Sequence, residues 1–569
     1  MKNNIANKLL SVSLSGLLSL SIAVGFTGCK DYLTAPEPGV TKATDYYTGG
    51  KACIFNVNAC YSPLQWEYSS TYCSEWFIGD VVSDDALKGG QNINDMANVY
   101  DMENWKTISN NELLNDIYRA NYLGIGRCNL ALKNIPYVAP DQDMDSSTKA
   151  RLLGEAHFLR AYYYFRLLRI FGGVPLTLDV IESSDQWTMP RAGVDEVYRA
   201  IITDLEEAEK VLWKRSAYPK EDMGRATQGA AQAMLMKVYL YMAGDFWQSK
   251  GLSLSAAECY QQAKNWGDKV IASGEYQLNP SYKNNFTLEG ENGMESVFEI
   301  QYIEDGNSDY GSDAGGFGMT RGTFTVILTR SRSSKLGSGW GFNKPTKNLY
   351  DEFESGDKRR EVTILDPKGY MENNNEETYL GDRFVSRKYA LYDVVGKNDT
   401  IAGIGEYVGK DTVLYYKLTH ATRGPINNKQ IRYADVLLMH AEACVGIGDD
   451  VTATADLNEV RGKRNMPTYP GYTFKVNGTA VASPTLLQAI RHERRVELAM
   501  EGHRWFDIVR WNGLDGTGVK AHMDAYKATE TTEAQSHMAE FQAGKHELMP
   551  IPSKQRELNS ALTQNDYYN

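Results

Sequence analysis

The sequence predicts an all-α protein. Its helix–turn–helix pairs form a superhelical scaffold, and a less regular, loop-rich region interrupts them. Three observations predict this. Pro-free stretches with apolar residues at helical spacing recur. They come in pairs separated by glycine-rich turns. Residues 280–425 break the pattern with many Gly, Asn, Tyr and Thr.

Each element follows from its local sequence. Arg151 to Phe171 reads "RLLGEAHFLRAYYYFRLLRIF", with Leu152, Ala156, Leu159, Tyr163 and Leu167 on one face. Asp145-Ser146-Ser147 supplies the cap, and Gly172-Gly173 with Pro175 stops the helix. Ala226 to Ala243 is a second helix, whose small residues allow a neighbour to approach closely. After Gly244, Ser255 to Ser273 forms its partner and ends at Gly274. A later pair runs from Tyr433 to Val445 and from Val451 to Lys463, closed by Pro467. Tyr433 to Pro467 matches the period of about 34 residues of a tetratricopeptide (TPR) repeat. Such pairs bury their apolar faces only by stacking. In the irregular region, "SVFEIQY" at Ser296 to Tyr302 reads as a strand, and Ile78 to Trp105 has a similar loop-like composition. Long irregular segments on a rigid scaffold are where binding surfaces concentrate.

The first residues have a different character. Lys2 and Lys8 precede an apolar, Ser-rich stretch from Leu9 to Phe26, the layout of a secretory signal. Its length is marginal for a membrane span, and its serines and glycines weaken that alternative. It ends in Phe26-Thr27-Gly28-Cys29, which resembles a bacterial lipobox. This predicts a signal peptide over 1–28, acylation at Cys29, and a Pro-containing tether over 29–44 leading to a body over 45–569. Several acyl chains give stable anchoring where one is marginal.

Composition excludes several functions. A net charge of −12 and the lack of a long Lys/Arg run argue against nucleic acid. Seven cysteines without a C-x-x-C pair argue against a zinc ribbon and against a disulfide scaffold. Cys53 and Cys60 read as a pair or as buried free thiols. The chain has 36 Tyr against 17 Phe, a surplus that suits either ligand platforms or half-buried core positions.

No phosphate loop or nucleophile elbow occurs, and Gly124-Ile125-Gly126 lacks the third glycine of a dinucleotide fingerprint. His492-Glu493 starts like a zinc motif, but Val496 stands where the second His belongs. Glu493, Glu497 and Glu501 form a row at i, i+4 spacing that needs neutralising, and Arg491, Arg494, Arg495 and Arg504 are nearest in sequence. Asp141, Asp143 and Asp145 have calcium-loop spacing but lack its Gly and terminal Glu, and read as an acidic turn before a helix. No cofactor or metal is expected, and no catalytic constellation emerges.

Six ordered motifs resemble the SusD/RagB family of Bacteroidetes outer-membrane lipoproteins. They are "GEAHFLRAYYYFRLLRIFGGVPL" at Gly154 to Leu176, "PRAGVDEVYRAIITDLEEA" at Pro190 to Ala208, and "GWGFNKPTKNLYDEFESGDKRR" at Gly339 to Arg360. "IRYADVLLMHAEA" at Ile431 to Ala443, "HERRVELAMEGHRWFDIVRW" at His492 to Trp511 and "MPIPSKQRELNSALTQNDYY" at Met549 to Tyr568 complete the set. The resemblance implies an N-terminal SusD-like region over about 45–245, a C-terminal SusD/RagB region over about 280–569, and TPR-like pairs over about 150–275 and 430–511. It implies a surface-exposed protein, lipid-anchored in the outer membrane, which captures an oligo- or polysaccharide without cleaving it. The implied partner is a SusC-like TonB-dependent transporter. The family's RagB branch takes peptides instead, and a surface glycoside hydrolase is the remaining alternative, since acidic residues are plentiful.

In that family the motifs build the scaffold and variable loops bind. "SDDALKGG" at Ser83 to Gly90 resembles the first binding loop, which nominates Asp84, Asp85, Lys88, Asn92 and Asp95 for contacts to sugar hydroxyls. Tyr302, Tyr310, Phe317 and Trp340 are candidates for an aromatic platform, on which a sugar stacks its C–H face. Trp105 and the group Trp66, Tyr72 and Trp76 read as core, the last two on a shared helix face.

Overall fold

The computed structural model describes residues 46–67, 74, 76–304, 322–366, 384–395, 407–410, 413–514 and 516–568. Helices dominate, and the strands are short. After α1 (Gly50–Tyr61) and α2 (Trp76–Val81), the stack begins with α3 (Glu112–Asn134), α4 (Ser146–Phe171), α5 (Val194–Val211), α6 (Gln228–Ala243) and α7 (Ala256–Ala272). It continues with α8 (Tyr433–Gly446), α9 (Asp450–Lys463) and α10 (Leu486–Leu498). Each of these packs on the next, from α3 to α8, and α8 packs on both α9 and α10.

The ends are set where the sequence places them. Asp145 caps α4 by accepting from the Thr148 amide at 2.7 Å. Ser255 and Glu258 close a capping box at α7, and Thr485 and Gln488 close another at α10. Gly274 takes a φ of 67° just past α7. In α6 every residue from Gly229 to Ala243 is buried, as a helix apolar on all sides must be.

The two predicted helix pairs join in one stack, as a single superhelical scaffold requires. α7 packs directly on α8 although residues 273–432 lie between them. A Cβ on Gly267 of α7 would sit 2.6 Å from the His440 ring of α8, so only glycine allows this approach. The excursion starts and ends on an antiparallel pair, β2 (Ser296–Ile300) with β4 (Asn428–Arg432), which returns the chain to the stack.

The tyrosine surplus is largely interior. The Tyr163 hydroxyl donates to the Cys60 carbonyl at 2.7 Å, and the Tyr164 hydroxyl to the Thr177 carbonyl at 3.1 Å. Trp66, Trp76 and Trp105 are buried as expected. α2 begins only at Trp76, and Tyr72 lies outside the described residues. Cys53 and Cys60 are buried free thiols on α1. Cys29 also lies outside the described residues, and among those described no helix is long and apolar enough to cross a membrane.

The glutamate row is neutralised by residues other than the neighbouring arginines. Glu493 takes Arg359 and Arg461; Glu497 takes Arg359, Arg432 and Arg464; Glu501, beyond the end of α10, takes Arg432 and Lys388. Arg494 turns to Asp435 and Asp507, Arg495 to Asp84, Asp85 and Glu352, and Arg504 to Asp84. Adjacent residues on a helix point about 100° apart, so Arg494 and Arg495 leave the face that Glu493 occupies. Asp141 is a turn former: its carboxylate accepts from the amides of Asp143, Met144 and Gly50, at 2.9, 3.0 and 2.7 Å.

Candidate functional site

The two segments nominated from sequence are joined by a strand pair. β1 (Ala86–Gly89) runs antiparallel to β3 (Phe342–Pro345), with Gly89 opposite Phe342. The Gly90 amide extends the ladder to the Gly341 carbonyl at 2.8 Å. Gly89 and Gly90 take φ of 72° and 76°, and a Cβ on Gly90 would lie 2.3 Å from the Phe342 ring. Two glycines are therefore required to turn the chain here. The turn leads into the exposed residues 91–94, and half-buried Trp340 directly precedes the Gly341 that Gly90 bonds.

Lys88 holds the loop from inside. Its ammonium donates to the carbonyls of Gly89, Asn92 and Asp95, at 2.7, 3.0 and 2.7 Å. Burial pulls its pKa down to about 8, against the pull of Glu103 and Asp95. The Asp95 carboxylate accepts from the Gln91 amide at 2.9 Å, which tightens the same loop.

Asp84 and Asp85 are interior residues, contrary to the expectation that they meet sugar hydroxyls. Asp84 is 0 % and Asp85 1 % exposed. Arg504 grips Asp84 with two bonds at 2.6 and 2.8 Å, and His522 Nε2 lies 3.0 Å from it. Arg495 Nε donates to Asp85 at 2.9 Å. Burial raises the Asp84 pKa, but Arg495 and Arg504 outweigh it and hold the carboxyl well below the usual range. For Asp85 burial prevails over Arg495, and its pKa is pushed up to about 6. A ligand outside the protein reaches neither carboxylate, nor the Lys88 ammonium. Of the five polar candidates, Asn92 is exposed and Asp95 half-buried.

Of the aromatic candidates, Trp340 stays at the surface. Its ring lies 5.9 Å from that of Phe324, tilted by 33°. Tyr302 is buried and faces an internal cavity of about 40 Å³ that Trp66, Trp76 and Tyr162 also line. It therefore belongs to the interior. Tyr310 and Phe317 lie outside the described residues.

The support beneath Trp340 was not legible in sequence. Arg423 stacks its guanidinium 3.6 Å from the Phe324 ring. Buried Glu67 accepts from the Phe324 amide at 2.5 Å and from the Thr323 hydroxyl at 2.6 Å, and burial pushes its pKa up to about 7. These residues lie far apart in the chain, and no local pattern marks them. A second omission is the hairpin β5 (Phe474–Val476) with β6 (Thr479–Val481), which Asn477-Gly478 between alternating residues announces.

Among the described residues, His440, Cys444 and Asp456 place metal-binding atoms within 4.8 Å of one another. The imidazole is already committed. Its Nδ1 lies 2.6 Å from Asp456 and its Nε2 3.1 Å from Asp268. Burial opposes its charge, but Asp456, together with Cys444, outweighs it and raises the pKa to about 10. A protonated imidazole held by two carboxylates has no lone pair to offer a metal.

Comparison with known proteins decides the family. A model of the SusD family matches residues 259–568, and one described as "Starch-binding associating with outer membrane" matches residues 58–240. The chain belongs to the SusD family. It is 26% identical to SusD-like protein P38 of Formosa agariphila over 521 residues, 89% of this chain and 92% of that one. It is 24% identical to the starch-binding protein SusD of Bacteroides thetaiotaomicron, over 68% of this chain and 71% of that one. Among solved structures, a laminarin binding SusD-like protein superposes with a TM-score of 0.70 at 27% identity, covering 92% of this chain and all of the other. A surface glycan-binding protein A from Bacteroides fluxus shares the fold, with a TM-score of 0.71 at 23% identity over 92% of this chain and all of that one. The SusD fold thus accounts for the helical stack with its long excursion.

Proposed function

We propose that this SusD-family chain is a cell-surface glycan-binding protein of the outer membrane, anchored through Cys29, and that it delivers its ligand to a SusC-like TonB-dependent transporter. The observation that carries the binding role is the β1–β3 pairing, which leads on one side into the exposed polar loop at residues 91–94 and on the other to half-buried Trp340, next to the Gly341 that Gly90 bonds. An indole face for the sugar C–H surface, flanked by amide side chains for its hydroxyls, is the chemistry a neutral glycan needs. The family match and the 27% identical laminarin-binding structure support the same reading and make starch and laminarin the first ligands to try. The glycan-binding relatives support a role in binding without cleavage.

Native affinity gels containing laminarin, starch or other polysaccharides test it. Retardation by at least one glycan, lost in Trp340→Ala, is expected. Retardation by none, alongside clear binding of peptides, overturns the reading in favour of the peptide-binding branch. Shortened glycan after incubation with pure protein overturns the binding-only role. Co-purification with a TonB-dependent barrel, and its loss in Cys29→Ser cells only when membrane attachment is lost, tests the delivery role.

A further inference from the structure

A helix on the outside of a stack ordinarily turns a polar stripe to water. α5 does so with Glu196, Arg199, Glu207 and Lys210, and α7 with Gln261 and Asp268. α3 does not. Its outward stripe is Leu123, Gly126, Leu130 and Lys133, at helical spacing. A Cβ on Gly126 would meet nothing within 4 Å, so a shallow notch opens between the two leucines.

The segment between α4 and α5 widens this face. Asn129 of α3 donates to the carbonyls of Thr177 and Asp179 at 2.8 and 2.9 Å, which places Leu178 beside the helix. Glu182 pairs with Lys133 and brings Ile181 to the same side. Leu178, Ile181 and Trp187 are exposed, the last by 65 %, and Tyr137, just past α3, is 89 % exposed. Single apolar residues at a surface are ordinary, but a group gathered on one helix and its flanking loop marks an interaction face. Trp and Tyr are the residue types that carry most energy in protein interfaces. A lipid surface suits the face poorly. Lys133 is neutralised by Glu182, and the exposed Asp141, Asp143 and Asp145 beyond α3 repel phosphate headgroups.

The two ends of α3 point to the partner. At its start, Asn111 caps the helix and donates to the Asn98 carbonyl at 2.9 Å, which ties it to the segment following the loop at residues 91–94. Past its other end, Asp141 accepts from the Gly50 amide, so the chain arriving from residues 29–45 enters there. The helix has 23 residues and measures about 34 Å, and its face runs from the anchor side to the glycan side. Residues 29–45 reach at most ~60 Å when extended, and a covalent tether fixes no orientation by itself. We propose that the outward face of α3, with Leu178, Ile181 and Trp187, is the surface on which the TonB-dependent transporter docks. The contact holds the barrel along the line from the anchor to the glycan loop. This rests on the delivery role proposed above.

Co-purification of the full lipid-anchored chain with the transporter from outer membranes tests it. Trp187→Glu, and Leu123→Glu combined with Leu130→Glu, should each lower the recovered transporter about thirtyfold or more. Glycan retardation and the urea midpoint should change little. Thr203→Glu, on the polar stripe of α5, should leave recovery unchanged. Trp187 lies outside the stack, so its variant decides the matter if the leucine pair does not fold. A photo-crosslinking side chain at position 130 should capture the transporter. Full recovery with both variants overturns the assignment of this face alone. Capture of a second copy of this chain, or of lipid, overturns the transporter as its occupant. An unaltered chain that recovers no transporter overturns the delivery role, and this docking face with it.

Discussion

Replacing Glu497 with Gln separates scaffold from site. Glu497 is 0 % exposed and accepts four charged bonds: from Arg359 Nη1 at 2.9 Å, Arg432 Nη1 at 3.0 Å, and Arg464 Nη2 and Nε at 2.8 and 3.2 Å. Glutamine keeps the shape, but removes the charge and turns an amide N–H₂ toward a guanidinium. Removing one partner from a buried ion-pair cluster costs about 3–5 kcal/mol. Against a typical total of ~5–15 kcal/mol this is a large fraction. Urea unfolding followed by tryptophan fluorescence should show a lower midpoint with little change of slope. The pH dependence has a definite sign. Burial raises the Glu497 pKa, but Arg464, Arg432 and Arg359 outweigh it and hold the carboxyl well below its usual range. Its stabilisation is therefore present above the unfolded pKa of about 4.3 and is lost as pH falls through the lower folded value. The advantage of the wild type over Glu497→Gln should shrink in acid. Where both are folded, glycan retardation should be equal, because no ligand reaches this carboxylate. An unchanged midpoint, or lost glycan binding with the fold intact, refutes the assignment of this motif to the scaffold.

Trp340→Ala should do the reverse, abolishing glycan retardation while lowering the unfolding free energy from urea titration by about 1 kcal/mol or less, since the ring is only half-buried. Gly90→Val forces a Cβ against the Phe342 ring and an unfavourable φ, so affinity-gel retardation should fall several-fold even with Trp340 in place. His440 is held protonated, with a pKa of about 10 against an unfolded value near 6.5. Its stabilisation is complete below about pH 6.5 and is lost as pH rises through about 10, so the melting-temperature gap between wild type and His440→Gln should close over that range. Cys53, Cys60, Cys128, Cys259 and Cys444 are buried thiols, and a thiol reagent should label them only after unfolding.

Much of the scaffold was legible because its signals are local. Asp145, Ser255 and Gly274 mark helix ends through caps and a left-handed turn that neighbouring residues define. The strand at Ser296 and the core roles of Trp66, Trp76 and Trp105 follow from pattern and composition. The site was legible only in outline. The segments at residues 83–95 and around Trp340 do meet in one strand pair, but only residues 91–94 of the first are exposed, and Asp84, Asp85, Lys88 and Tyr302 turn inward. Polarity argues for exposure only when no opposite charge is available inside. The cations that bury Asp84 and Asp85, Arg495 and Arg504, come from the far end of the chain.

The sequence by itself determined the helices, their caps, the family and the two segments that meet at the candidate surface. Those features depend on contacts within a few residues, or on motifs that travel intact. Only the tertiary structure decided that α7 and α8 form one stack across the excursion, and which guanidinium neutralises which carboxylate. Each of these is set by chain closure between distant residues: Gly267 against His440, and Arg432 against Glu497. Local periodicity carries no information about that closure.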